Sequence, residues 1–353
     1  MEIGVDTFVE ATPDVQTGKT ISHAQRLREV VEEIVLADQV GLDVFGVGEH
    51  HRKEFADSAT AVVLAAAAPM TKRIRLTSSV SVLSAADPVR LFQQFATLDG
   101  ISNGRAEIIA GRGSMVDAFP LFGYDLNDYE ELFEEKLELL LKLRDSEKVT
   151  WKGGHRPAFT NLGVYPRPVQ NPLPVWLGSG GNPESVIRAG VLGLPLVLAI
   201  IGGSPLQFAP LVPLYKNAAA RAGHDASKLK IAVHSLGFIA ESTSLAVEKY
   251  FPPTQASFNY FGKERGWGQY SRSNFDASRS LEGALYVGDP ETVANKIIHM
   301  SKHLGFTRFF LHLPIGTMPH EDVMKAIELL GTEVAPQVRE EIARWEVAEG
   351  ISR

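Results

Sequence analysis

Eight short apolar runs alternate with eight amphipathic stretches along these 353 residues, and few folds accommodate that order. The runs at 2–8, 43–49, 74–83, 105–111, 174–178, 194–200, 230–239 and 307–313 read as strands, because each is short, apolar and closed by glycine or polar residues. The stretches at 22–40, 58–70, 88–100, 127–144, 183–191, 206–222 and 290–304, with another from 320, read as helices. In the first of them Leu27, Val31, Ile34 and Val35 share one side, and Gly41 ends it. Alternation of this kind implies parallel strands joined by right-handed crossovers. Eight units in this length predict an α/β fold, a closed (β/α)8 TIM barrel forming one domain over 1–353, rather than an open doubly wound sheet.

One segment does not fit the alternation. Residues 250–286, after the seventh strand, are too many for an ordinary connection. They carry Phe251, Phe258, Tyr260, Phe261 and Trp267 among several glycines, and the reading is an extended loop serving as a lid, or else an Ω-loop packed on the rim.

Composition narrows the chemistry. With no cysteine, the chain has no disulfide, no thiolate nucleophile, no zinc-thiolate site and no iron–sulfur cluster. A formal charge of -7 and the lack of a basic cluster argue against a nucleic-acid surface. No apolar run is long enough to span a bilayer, and the first residues do not resemble a secretory signal. A cytoplasmic protein acting on small molecules, with no membrane partner, is the expectation.

Barrel enzymes keep their chemistry at the carboxyl ends of the strands. There the second strand runs into Gly48-Glu49-His50-His51, with Glu54-Phe55 following. Neighbouring side chains on a strand face opposite ways, so only one of the two histidines is expected to look into a pocket. His50 is that candidate, as general base or ring-stacking group. Glu49 is expected to hold backbone or guanidinium groups at the rim. His234 and His312, near later strand ends, pose the same question.

The fourth strand ends in Gly111-Arg112-Gly113, where a forked guanidinium meets an anion or pairs at the surface. After the fifth, Leu177-Gly178-Ser179-Gly180-Gly181-Asn182-Pro183 places glycines ahead of a helix, exposing several amides to a phosphate. Pro183 stands where a third glycine would fall in a dinucleotide fingerprint, so that reading is rejected. In Pro13-x-x-x-x-Gly18-Lys19-Thr20 a proline replaces the first glycine of a phosphate loop, and nucleoside triphosphate binding is rejected too. Ser78, Ser79 and Ser81 put hydroxyls on a strand that a barrel buries, where backbone or a bound ring system must satisfy them.

Taken in order, these segments resemble the bacterial luciferase-like flavin monooxygenase family over essentially the whole chain. The resemblance also rests on Asp87-Pro88-Val89-Arg90, on Leu98-Asp99-Gly100-Ile101-Ser102-Asn103-Gly104-Arg105, on Phe122-Gly123, on Pro174-Val175-Trp176 and on Gly288-Asp289-Pro290-Glu291. It implies a barrel holding reduced FMN at its carboxyl end. The phosphate falls to Arg112, between Gly111 and Gly113, and to Ser179, Gly180 and Gly181. The ring system falls beside Ser79 and Val80, near a non-prolyl cis peptide, and the catalytic histidine of luciferase falls on His50. Two departures stand out. Gly111 replaces a cysteine of luciferase, and Glu130 falls at about the position of a second phosphate-binding arginine.

The implied reaction is oxygenation of a small organic substrate by reduced FMN and dioxygen, with electrons from NAD(P)H through a separate flavin reductase and a homodimer as the family default. A sister reading keeps the barrel and uses the deazaflavin F420 for hydride transfer. Further rivals are a metal-dependent barrel hydrolase built on Glu49, His50, His234 and His312, and a flavin-binding protein without turnover. No metal is expected, because a strand-end His-x-His and a bridging lysine are both missing.

Overall fold

The structure, a computed structural model, describes residues 1–113 and 115–350. Of the domain expected over 1–353, Ser114 and the last three residues lie outside that description. Strands β1 (Glu2–Thr7), β2 (Val44–Val47), β3 (Arg75–Ser78), β4 (Ala106–Gly111), β5 (Val175–Ser179), β6 (Leu196–Ala199), β7 (Ile231–Ile239) and β8 (Arg308–His312) pair in parallel in chain order. Gly4 opposite Phe310 closes β1 onto β8. This is the eight-stranded barrel that the alternation predicts.

Strands buried on both faces explain the near-continuous apolar runs; all nine residues of β7 are buried. Inside the barrel, Val44, Ile109, Trp176, Val197, Ala232 and Phe310 form one packed layer. Beneath it Arg308 plugs the amino end, donating to Glu107 (2.5 and 3.3 Å) and Glu2 (2.7 Å) with its guanidinium 4.4 Å from the Trp176 ring centre. The helices start where short polar residues accept their first free amides, as Ser22, Asp87, Asn182 and Asp289 do. Proline follows three of those caps, at a position whose amide has no helical partner anyway.

The molecule departs from the sequence expectation in three places. The run at 74–83 is not one strand: β3 stops at Ser78, Ser81–Val82 pairs separately with the end of β4, and the Ser79–Val80 peptide between them is cis. The polar excursion after the fourth barrel helix forms an antiparallel hairpin, Lys148–Trp151 with Phe159–Gly163. The expected loop at 250–286 is largely helical, with helices Thr243–Glu264 and Arg272–Ser278, followed by Tyr286–Gly288 pairing in parallel with Gly237–Ile239. Pro252 and Pro253 lie inside the longer helix. A buried stripe of Ala246, Val247, Tyr250, Pro253, Thr254 and Ser257 supplies the packing that overrides the roughly 3 kcal/mol penalty of an interior proline.

Candidate active site

The carboxyl ends of the strands surround a cavity of about 520 Å³. Its floor follows from where glycine stands. A Cβ on Gly111 would lie 2.5 Å from Val80 Cγ2, and one on Gly178 3.1 Å from Val80 Cγ1. Only because β4 and β5 carry no side chain at these points does Val80 lie across them as an apolar shelf facing the cavity. Ser79 borders the cavity too, and its hydroxyl donates to Asp6 Oδ2 at 2.5 Å.

His50 borders the cavity from a buried position. Its ring stacks on Phe55 at 4.3 Å and leans on Phe8 at 4.5 Å, and its backbone amide donates to the Asp57 carbonyl at 3.0 Å. Nδ1 is buried with no partner in the protein. Burial pushes the ring's pKa down to about 3, so the imidazole is neutral at physiological pH.

Contrary to the expectation of one inward histidine, His51 borders the same cavity. Strand β2 ends at Val47, so the strict alternation of a strand no longer governs residues 50 and 51. Glu49 fixes this corner by accepting from His51 Nε2 at 2.8 Å and from the Val82 amide at 2.9 Å.

Arg112, Gly113, Ser179 and Gly180 border one wall of the cavity, and Gly181 does not. The Gly181 amide donates to the Ser179 hydroxyl at 3.2 Å, with a φ of +102° that favours glycine. Asn182 accepts the amides of Glu184 (2.7 Å) and Ser185 (3.2 Å), so the first turn of helix Pro183–Val191 is already capped. The groups on this wall that could meet an anion are the Arg112 guanidinium, the Ser179 hydroxyl and the Gly180 backbone. Of the rings expected in a lid, Phe258 and Trp267 reach this cavity, whereas Tyr260 and Phe261 border a second one of about 390 Å³.

Sequence reasoning missed the carboxylates beneath the floor. Asp6 accepts from His234 Nδ1 at 2.6 Å and from His312 Nδ1 at 3.3 Å, and Glu10 accepts from His312 Nε2 at 3.0 Å. Burial opposes charge on His312, but Glu10 and Asp6 outweigh it and hold its pKa near 10. Burial likewise works against the Asp6 anion, yet His234 and His312 hold its pKa well below the usual carboxylate range. His234 Nε2 is buried without a partner, and His234 borders the cavity. Among the described residues, Asp6, His234 and His312 form the group close enough to hold a metal ion. Both nitrogens of His312 face carboxylates, which is the arrangement of a proton-sharing imidazolium rather than of a ligand with a lone pair to give. The register that sets Asp6 opposite His312 is the signal that no single stretch of sequence carries.

A family model described as luciferase-like monooxygenase matches residues 1–308. The chain belongs to the luciferase-like monooxygenase family. Among solved structures, the chain is similar to the monooxygenase RslO1 of Streptomyces bottropensis, with a TM-score of 0.81 and 24% identity over 95% of this chain and 99% of that one. It also resembles the oxygenating constituent of 3,6-diketocamphane monooxygenase from Pseudomonas putida, solved with FMN, at a TM-score of 0.74 and 22% identity over 96% and 98% of the two chains. At these identities the likeness concerns the fold. The F420-dependent glucose-6-phosphate dehydrogenase of Amycolatopsis mediterranei (strain U-32) is 30% identical over 200 residues, 54% of this chain and 59% of that protein. No helix among the described residues is long and apolar enough to cross a membrane.

Proposed function

We propose that this enzyme uses reduced FMN and dioxygen to oxygenate a small organic substrate. One observation carries the reading: a single cavity is lined by the Val80 shelf, by Arg112, Ser179 and Gly180, and by the imidazoles of His50 and His234. A flavin nucleotide matches that set, with a flat ring for the shelf, polar ring edges for the imidazoles and a phosphate for the guanidinium. The cavity also falls within the roughly 300–1,000 Å³ of small-molecule sites. When bound, the reduced flavin supplies the activation of dioxygen, and the protein's part is to orient it and keep water away.

In this reading Arg112 and Ser179 hold the phosphate, Val80 supports the ring, and neutral His50 hydrogen-bonds at its edge. Phe258 and Trp267, from the helical segment above, exclude water. Because no dinucleotide fingerprint is present, a separate NAD(P)H-dependent reductase supplies the reduced flavin. The F420 reading draws on the relatives with that cofactor. Titration of the apoprotein with oxidised FMN, reduced FMN and F420, followed by absorbance and fluorescence, separates the two. Saturable FMN binding with reductase-coupled oxygen consumption is expected, and binding of F420 alone would overturn the proposal.

Two variants test the architecture. His50→Ala should still bind FMN but lose oxygen-transfer turnover by about 10²- to 10³-fold, the range of a lost positioned hydrogen bond at the reacting centre; wild-type turnover would remove His50 from the mechanism. Gly111→Val must displace Val80, so FMN affinity should drop more than about tenfold while stability drops by only about 1–3 kcal/mol. Unchanged FMN affinity in a folded Gly111→Val protein would show that the ring does not lie on the shelf.

A further inference from the structure

The arginine assigned to the phosphate already holds a carboxylate of the chain's own. Glu130, in the first turn of helix Tyr129–Asp145, pairs with the Arg112 guanidinium. Its other oxygen lies 3.7 Å from Nη2 of Arg188, which itself pairs with Glu134. Arg188 belongs to the helix that begins directly after the Ser179–Gly181 turn. Glu130 therefore stands between two arginines. Tyr129 steadies the arrangement, its ring centre 5.4 Å from the Arg112 guanidinium and its hydroxyl donating to the Gly113 carbonyl at 2.9 Å. The Glu130 side chain is 48% exposed, so it has solvent to swing into.

We propose that Glu130 sets the strength of the phosphate seat by competing with the flavin phosphate for Arg112. The proposal rests on the reading of Arg112 as the phosphate group's partner. Carboxylate and phosphate both match the guanidinium fork. An incoming phosphate must either break the Arg112–Glu130 pair or lie beside a second anion, and each course lowers affinity for a dianion without touching a neutral ligand. In the free protein the carboxylate occupies Arg112, so the effect falls on the fraction of molecules competent to take the phosphate.

The test is a double-mutant cycle: FMN and riboflavin, which lacks the phosphate, are titrated by flavin fluorescence into wild type, E130Q, R112A and the double variant. E130Q is expected to tighten FMN about 3- to 30-fold, the more so at low salt, and to leave riboflavin unchanged. The gain should vanish in the R112A background. If R112A weakens FMN but E130Q does not tighten it, the competition is overturned while the phosphate assignment stands. Tightening that persists without Arg112 also overturns it, since Glu130 would then act by its field alone. If R112A leaves FMN binding unchanged, the phosphate assignment itself is wrong and the competition goes with it.

Discussion

Alanine in place of Arg112 is expected to weaken FMN binding about 10- to 100-fold and to leave riboflavin binding unchanged. A hydrogen bond to a charged group is worth about 1.5–3 kcal/mol, and a fork offers two, so an unencumbered guanidinium would be worth more. Part of that is offset here because Arg112 leaves Glu130 to meet the phosphate. The ratio of the two flavins isolates the phosphate term from the shelf and the imidazole edge. Isothermal calorimetry or fluorescence titration reads it directly. Equal losses for both flavins would mean that the variant had disturbed the cavity as a whole.

Removing the His312 ring is expected to destabilise the fold by about 3–5 kcal/mol, because Asp6 and Glu10 would be left as buried charges without their shared cation. Denaturant midpoints of wild type and His312→Gln, which retains hydrogen bonding but not charge, measure the effect. The pH dependence follows from the same pair of contacts. His312 has its pKa raised from 6.5 to about 10 in the folded state, so its stabilisation is complete below pH 6.5 and lost as pH rises toward 10. Wild type should therefore weaken between those limits by more than His312→Gln does. Parallel curves for the two proteins would show that the ring is not an imidazolium.

Much of the architecture was legible because one physical pattern repeats: apolar runs buried on both faces, with capped amphipathic helices between them. Asp87-Pro88 and Asp289-Pro290 announce helix starts by local chemistry alone, and both helices begin where that chemistry places them. The helix across 243–264 was missed because Pro252-Pro253 reads locally as a break, although the stripe from Ala246 to Ser257 has helical spacing. Local propensity and tertiary packing disagree there, and packing decides. In the site, residues that border the cavity at strand ends, such as Arg112 and Ser179, were visible as punctuation after apolar runs. Asp6 was not, since nothing within β1 distinguishes a buried carboxylate that meets two histidines from strands far along the chain. Glu130 was visible only as a departure from the related pattern, and the pairing that gives it meaning is a contact across 18 residues.

The Val80 shelf has a consequence for how proteins of this kind can diversify. A Cβ on Gly111 would strike Val80 at 2.5 Å, one on Gly48 would strike Phe8 at 2.5 Å, and one on Gly178 would press on Val80 at 3.1 Å, so the base of the chamber is closed to larger side chains at three points. Novelty must enter from the roof, where half-exposed Trp267 and its helical surroundings are free to vary. Laboratory libraries seeking a new substrate would find their productive positions there, with the flooring left as it is.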